Sequence, residues 1–153
     1  MTGCQILYVE DDESDLTVLQ HAFRLAHVEI PLSHVSDGQA AVEYLTGHGI
    51  YHDRARFPFP NLLLVDVKMP RMGGLELLQW VRVRPEFAGL VIIMFSSSDH
   101  DRDIRRACEL GANSYVVKPH GLQAGVRLAR ALENWWFDQN EFVSRLEIAS
   151  GCA

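Results

Sequence analysis

Leu62-Leu63-Leu64-Val65-Asp66-Val67-Lys68-Met69-Pro70-Arg71-Met72-Gly73-Gly74 is the stretch of this sequence that decides its fold. Four consecutive aliphatic residues, apolar on both faces of an extended chain, suit a strand buried inside a parallel sheet. A carboxylate follows at once, then a turn bearing Pro and Gly. Gly73-Gly74 then opens a helical stripe of Leu75, Leu78 and Val81. Strand, acidic turn and helix form one unit of an α/β sheet.

The same unit recurs on both sides of it. Apolar segments fall at Ile6 to Val9, Leu32 to Val35, Leu90 to Phe95 and Ser114 to Val117. Stripes of helical period separate or follow them. Leu16, Leu19, Gln20, Phe23 and Ala26 form one, and Ala40, Ala41, Tyr44 and Leu45 a second. Ile104, Ala107, Cys108 and Leu110 form another, and Val126, Leu128, Leu132 and Trp135 the last. Strand then helix, five times over, predicts a parallel sheet covered on both faces. Asp37-Gly38 reads as the cap of the second helix, Ser98 or Asp99 as the cap of the fourth, and Gly111 as its end. The connection from Gly47 to Pro60 is longer, and its Pro and Gly content reads as a surface insertion, with His48 and His52 as surface residues rather than metal ligands.

With 153 residues, 48% of them hydrophobic, the chain suits one domain with a sizeable core. A net charge of −6, with the acidic residues spread along the chain, argues against binding nucleic acid or an anionic membrane. Cys4, Cys108 and Cys152 are odd in number and lack metal-ligand spacing, so they read as free thiols. No stretch reaches the roughly 18 to 20 apolar residues of a membrane span, which predicts a cytoplasmic protein. Past Glu133 the pattern changes to Trp135-Trp136-Phe137 and an amphipathic tail of Phe142, Val143, Leu146 and Ile148. Such aromatic surface needs a cover, either the domain's own last helix face or a second copy of the chain.

Parallel sheets place ligands at the carboxyl ends of their strands. Here the ends carry Glu10-Asp11-Asp12, then Asp66, then Ser96-Ser97-Ser98, then Lys118-Pro119. Clustered carboxylates repel unless a cation sits among them, and an all-oxygen set without His or Cys favours a hard ion such as Mg2+. Lys118 and Ser96 would meet the oxygens of a phosphoryl group arriving at Asp66. Because no glycine-rich nucleotide loop occurs, the phosphoryl donor is expected to be another protein or a small acyl phosphate.

These residues resemble the receiver domains of two-component response regulators, from about Gln5 to Trp135. The resemblance is carried by Val9-Glu10-Asp11-Asp12, by Asp66 to Gly74, by Ser96-Ser97, and by Gly111-Ala112-Asn113-Ser114-Tyr115-Val116-Val117-Lys118-Pro119. It implies a flavodoxin-like (βα)5 doubly wound parallel sheet of strand order 2-1-3-4-5, with a receiver domain over 5–138 and a C-terminal extension over 139–153 that could dimerise. It implies that a sensor histidine kinase passes its phosphoryl group to Asp66. Mg2+ would be held by Asp11, Asp66 and the Lys68 backbone carbonyl, with Glu10 acting largely through water. Ser96, Ser97 and Lys118 would meet the phosphoryl group, with Ser96 and Tyr115 as the switch pair. Family members usually have a cis bond before the proline that follows the lysine. Two departures stand out: Ser96 where threonine is commoner, and Gly73 where Asp or Asn usually precedes Gly74.

The long insertion and the lack of an output domain resemble the stand-alone regulators that partner bacterial phytochrome kinases. Output would then pass through a changed protein contact, a homodimer through Trp135, Trp136 and Phe142 being one form. The alternatives are a magnesium-dependent phosphatase or hydrolase with Asp66 as nucleophile, or a degenerate receiver that only binds partners. The first generally wants a carboxylate two residues on, where Lys68 stands.

Overall fold

The structure is a computed structural model and describes residues 4–142. Five strands, β1 (Ile6–Val9), β2 (Leu32–Val35), β3 (Leu62–Val65), β4 (Val91–Ser96) and β5 (Ser114–Val117), alternate with helices α1 (Glu13–Ala26), α2 (Gly38–Thr46), α3 (Gly74–Arg82), α4 (Asp101–Glu109) and α5 (Leu122–Leu132). All strand pairs are parallel, in the order β2-β1-β3-β4-β5. This is the doubly wound arrangement the resemblance implied.

Strand pleating sorts the core into two layers. Leu7, Val9, Leu63, Val65, Ile92 and Met94 meet the helices α2 and α3 on one face. Ile6, Tyr8, Leu62, Leu64, Ile93 and Phe95 meet α1 and α5 on the other. The central strands β1, β3 and β4 are buried throughout, whereas the edge strands β2 and β5 are mostly half-buried. β4 is displaced by one residue from the expected segment. Leu90 closes a turn onto Phe87 O at 3.0 Å, and Ser96 is the last strand residue, opposite Val117.

The helix starts follow side-chain chemistry. Asp12 caps α1, accepting from the Ser14 and Asp15 N–H groups at 2.7 and 3.2 Å. Asp37 caps α2 through the Ala40 N–H at 2.9 Å. The cap of α4 is His100, not Ser98 or Asp99. The Ser98 hydroxyl donates to Asp103 Oδ2 at 2.7 Å and ties the preceding loop to the first turn of α4. Three side chains expected on buried stripes face outward, namely Gln20, Cys108 and Trp135. Buried Ala22 takes the core position on α1, and Ala129 and Leu132 on α5.

The insertion is more ordered than its composition predicts. Gly49–His52 forms a 3-10 turn, and Tyr51 and Phe57 pack tilted and edge-on against Tyr44 of α2 at ring distances of 4.9 and 6.1 Å. Arg54 donates to the Tyr44 and Leu45 carbonyls at 2.8 and 3.0 Å, which closes the C-terminal end of α2. His48 and His52 are exposed, as expected. At the other end, Glu133–Gln139 continues α5 as a π-helical stretch. It buries Phe137, half-buries Trp136 and leaves Trp135 65% exposed. Phe142 packs on Phe137 at 5.4 Å, while Val143, Leu146, Ile148 and Cys152 lie outside the described residues. Among the described residues no helix is long and apolar enough to cross a membrane.

Candidate functional site at the carboxyl ends of the strands

The site is assembled by the sheet itself. Asp66 continues the ladder past β3, its N–H donating to Val9 O at 3.1 Å, so its side chain rises beside the end of β1. Its Oδ1 accepts from the Val67 N–H at 2.8 Å, and the Ser96 hydroxyl, at the end of the adjacent strand, stabilises the same carboxylate. Carboxylate oxygens of Glu10, Asp11 and Asp66 lie within 4.8 Å of one another, with Glu10 and Asp66 buried and Asp11 exposed. Lys118 reaches in from the end of β5, where its backbone N–H bonds Ser96 O at 2.8 Å. Its Nζ lies 2.5 Å from Glu10 Oε2, 2.7 Å from Asp15 Oδ2 and 3.6 Å from Asp66 Oδ2.

The loop from Asp66 to Gly74, the acceptor loop of the proposed function, is held from below by two close approaches. A side chain at Gly74 would bring its Cβ to 1.9 Å from Asp66 O, and one at Gly38 would meet Met72 at 2.6 Å. Gly38 N–H donates to Met72 O at 3.0 Å, which ties the loop to α2. Arg71, at a left-handed φ of 62°, adds an ion pair to buried Asp37. Gly73 occupies the N-cap of α3 and offers no side-chain acceptor, which is what the departure from Asp or Asn costs there.

Burial sets the electrostatics. It pushes the Asp66 carboxyl above its ordinary value, an effect opposed by Lys118, reinforced by the like charge of Glu10, and opposed again by the hydrogen bonds from Ser96 and Val67. For Lys118, burial lowers the affinity for the proton, but the bonds to Asp15 and Glu10 outweigh it and hold the ammonium above its ordinary value. An all-oxygen cluster containing a desolvated carboxylate is the donor set of a hard divalent cation. The residues present therefore fit the ion expected from the sequence.

The predicted residues converge unevenly. Glu10, Asp11, Asp66, Ser96 and Lys118 meet at one mouth. Tyr115 is half-buried and donates to Ser98 O at 2.8 Å, in the loop that leads into α4. Ser97 and Lys68 are exposed beside the mouth. The Lys118–Pro119 bond is trans, unlike the pattern the resemblance implied. Two contributors were missed. Asp15 stands three residues after the cap Asp12, in the first turn of the helix that follows the acidic strand end. Tyr8 stands two before Glu10, the strand period that shares a face, and its hydroxyl donates to Glu10 Oε2 at 2.9 Å. Both signals were available from spacing.

Comparisons with known proteins agree with this geometry. Residues 6–130 match the family described as the response regulator receiver domain. Response regulator Rcp1 of Synechocystis sp. is 27% identical over 133 residues, 87% of this chain and 88% of that protein. Its Mn(2+)-bound form superimposes with a TM-score of 0.80 at 26% identity, covering 92% of this chain and 99% of that one. Response regulator RPA3017, in red light signaling of R. palustris, gives a TM-score of 0.87 at 30% identity, over 92% of this chain and 99% of its own. The phosphorylated cyanobacterial phytochrome response regulator RcpA gives 0.84 at 26% identity, over 94% and 100%. Matched along most of its length in both sequence and fold, the chain belongs to the response regulator receiver domain family, the phosphoryl-accepting components of two-component signalling.

Proposed function

We propose that this protein is a single-domain response regulator that accepts a phosphoryl group on Asp66 from a sensor histidine kinase. The observation that carries the reading is the convergence of Glu10, Asp11 and Asp66 within 4.8 Å, with the Lys118 ammonium 3.6 Å from the Asp66 carboxylate. Mg2+ is the proposed ion, held by Asp11, Asp66 and the Lys68 carbonyl, with Glu10 acting through water. When bound it neutralises phosphoryl oxygens that the carboxylates alone would repel.

In the proposed transfer an Asp66 oxygen forms the new O–P bond as the P–N bond to the donor imidazole breaks. The electron pair leaves on that nitrogen, which takes up a proton. Lys118 moves onto one phosphoryl oxygen, and the hydroxyl of Ser96 or the N–H of Ser97 onto another. The Ser96 hydroxyl already accepts from the Ser98 N–H at 3.2 Å, and Tyr115 already reaches Ser98, so movement at Ser96 would be felt at the start of α4.

We assign no catalytic turnover to the chain. A phosphatase built on Asp66 would want a carboxylate where exposed Lys68 stands. Likeness to Rcp1, RPA3017 and RcpA supports a bacterial phytochrome as the kinase and the cytoplasm as the compartment. We divide the chain into a receiver unit over 5–138 and an extension over 139–153, and exposed Trp135 supports a homodimer contact. Mass spectrometry after incubation with acetyl phosphate and Mg2+ should show one added phosphoryl group in wild type and none in Asp66→Asn. An unchanged wild-type mass, or addition that persists in the variant, refutes the assignment.

A further inference from the structure

An ammonium group carries three N–H donors and no acceptor, so its position is set by whichever acceptors hold it. Around Lys118 the acceptors are unequal. Glu10 Oε2 and Asp15 Oδ2 are within hydrogen-bond distance at 2.5 and 2.7 Å, while Asp66 Oδ2 at 3.6 Å is not. The Phe95 ring lies 5.9 Å away on the sheet side and offers only a weaker attraction. Glu10 is itself fixed, because Oε2 also accepts from Tyr8 and Oε1 accepts from the Asp12 N–H at 3.1 Å. Asp15 differs in being half-exposed and carried on the first turn of α1.

We propose that Asp15 is a positioning residue for Lys118: it holds the ammonium toward α1, beyond hydrogen-bonding reach of the Asp66 carboxylate at 3.6 Å, so that this carboxylate stays open to a cation and a phosphoryl group. This role rests on the phosphoacceptor reading of Asp66. With Asp15 neutralised, the ammonium keeps Glu10 but loses its ionic acceptor on the α1 side, and shifts toward the next carboxylate, Asp66. A divalent cation then meets an acceptor carboxylate already paired with a positive charge. Asp15 thus sets how much of the Asp66 charge is open to ligands, without touching the phosphoryl group.

Lys68 and Lys118 are the chain's two lysines, so 15N-lysine labelling gives two ammonium signals, and Lys68→Arg assigns them. In metal-free protein Asp15→Asn should shift the Lys118 signal. Glu13→Gln, which removes the same charge from the first turn of α1, should leave it in place. In calorimetric titration with Mg2+, Asp15→Asn should weaken binding about fivefold and Glu13→Gln less than about twofold. In a Lys118→Met background the Asp15→Asn effect should shrink to that of Glu13→Gln. A Lys118 signal indifferent to Asp15→Asn, or equal losses of Mg2+ affinity in the two charge variants, overturns the proposal. A wild-type protein that binds no Mg2+ at millimolar concentration refutes the phosphoacceptor reading instead, because the ammonium signal reports the Asp15 contact without any metal.

Discussion

Replacing Lys118 with methionine keeps an unbranched side chain one atom shorter and removes its charge, and the structure sets the size of the consequence. The ammonium is 13% exposed and lies 2.5 Å from a Glu10 carboxylate that is 1% exposed. Breaking one side of a buried ion pair costs about 3–5 kcal/mol when the remaining charge has no other partner. Glu10 keeps the Tyr8 hydroxyl and the Asp12 N–H, and the pocket opens to solvent through Asp11. The loss should therefore fall near about 2–3 kcal/mol, a fall in Tm of about 4–12 °C for a domain of this size. The three clustered carboxylates then lack their internal cation, so Mg2+ should bind the variant more tightly and raise its Tm more than it raises that of wild type. Thermal unfolding followed by circular dichroism, first in EDTA and then in millimolar Mg2+, reads both effects. An unchanged Tm in EDTA, or a Mg2+ response no larger than that of wild type, would refute the view that Lys118 is the resting counter-ion of this site.

Three further outcomes follow from the geometry. Gly74→Ala should destabilise by about 3 kcal/mol or more and abolish Mg2+ binding, because a Cβ 1.9 Å from the Asp66 carbonyl must displace the acceptor loop, as denaturant unfolding and calorimetry will read. Asp66→Asn should gain in Tm over wild type as pH rises from below 3.8 toward neutrality in metal-free buffer. The folded state binds the Asp66 proton more tightly than the unfolded state, so the wild type alone loses stability across that window; a pH-independent difference in Tm contradicts it. Arg54→Ala should cost about 2 kcal/mol by uncapping the Tyr44 and Leu45 carbonyls, while the Mg2+ affinity measured by titration stays at the wild-type value.

The sequence was most legible where one physical requirement fixed several residues at once. Leu62–Val65 had to be a central strand because it is apolar on both faces, and all four residues are at most 1% exposed. Glu10, Asp11, Asp66 and Lys118 were legible as a site because strand ends in a parallel sheet share one edge. Legibility failed where a residue's partner is backbone or lies far along the chain. Arg54 binds main-chain carbonyls, which leave no signature in sequence, so an ordered insertion read as a loop. Ser98 donates to Asp103 rather than capping the helix, a choice of partner that composition cannot make. Trp135 shares the period of buried Leu132 and Val126, yet faces outward because the π-helical stretch after Leu132 changes the angular step along the helix.

Charge balance explains why the pocket needs two kinds of positive charge. The carboxylates of Glu10, Asp11, Asp15 and Asp66 surround one ammonium, so three formal negative charges are uncompensated. A phosphoryl dianion approaching that pocket is repelled, most strongly where burial keeps water from screening the charges. Lys118 alone cannot reverse this, since its two nearest partners are already carboxylates it would have to leave. A divalent cation offsets two of the three charges, and the ammonium then gains by exchanging a carboxylate for a phosphoryl oxygen. In the proposed transfer, phosphoryl acceptance at Asp66 would therefore be coupled to cation binding by charge balance, and a movement of Lys118 away from α1 would be the local rearrangement that the coupling drives.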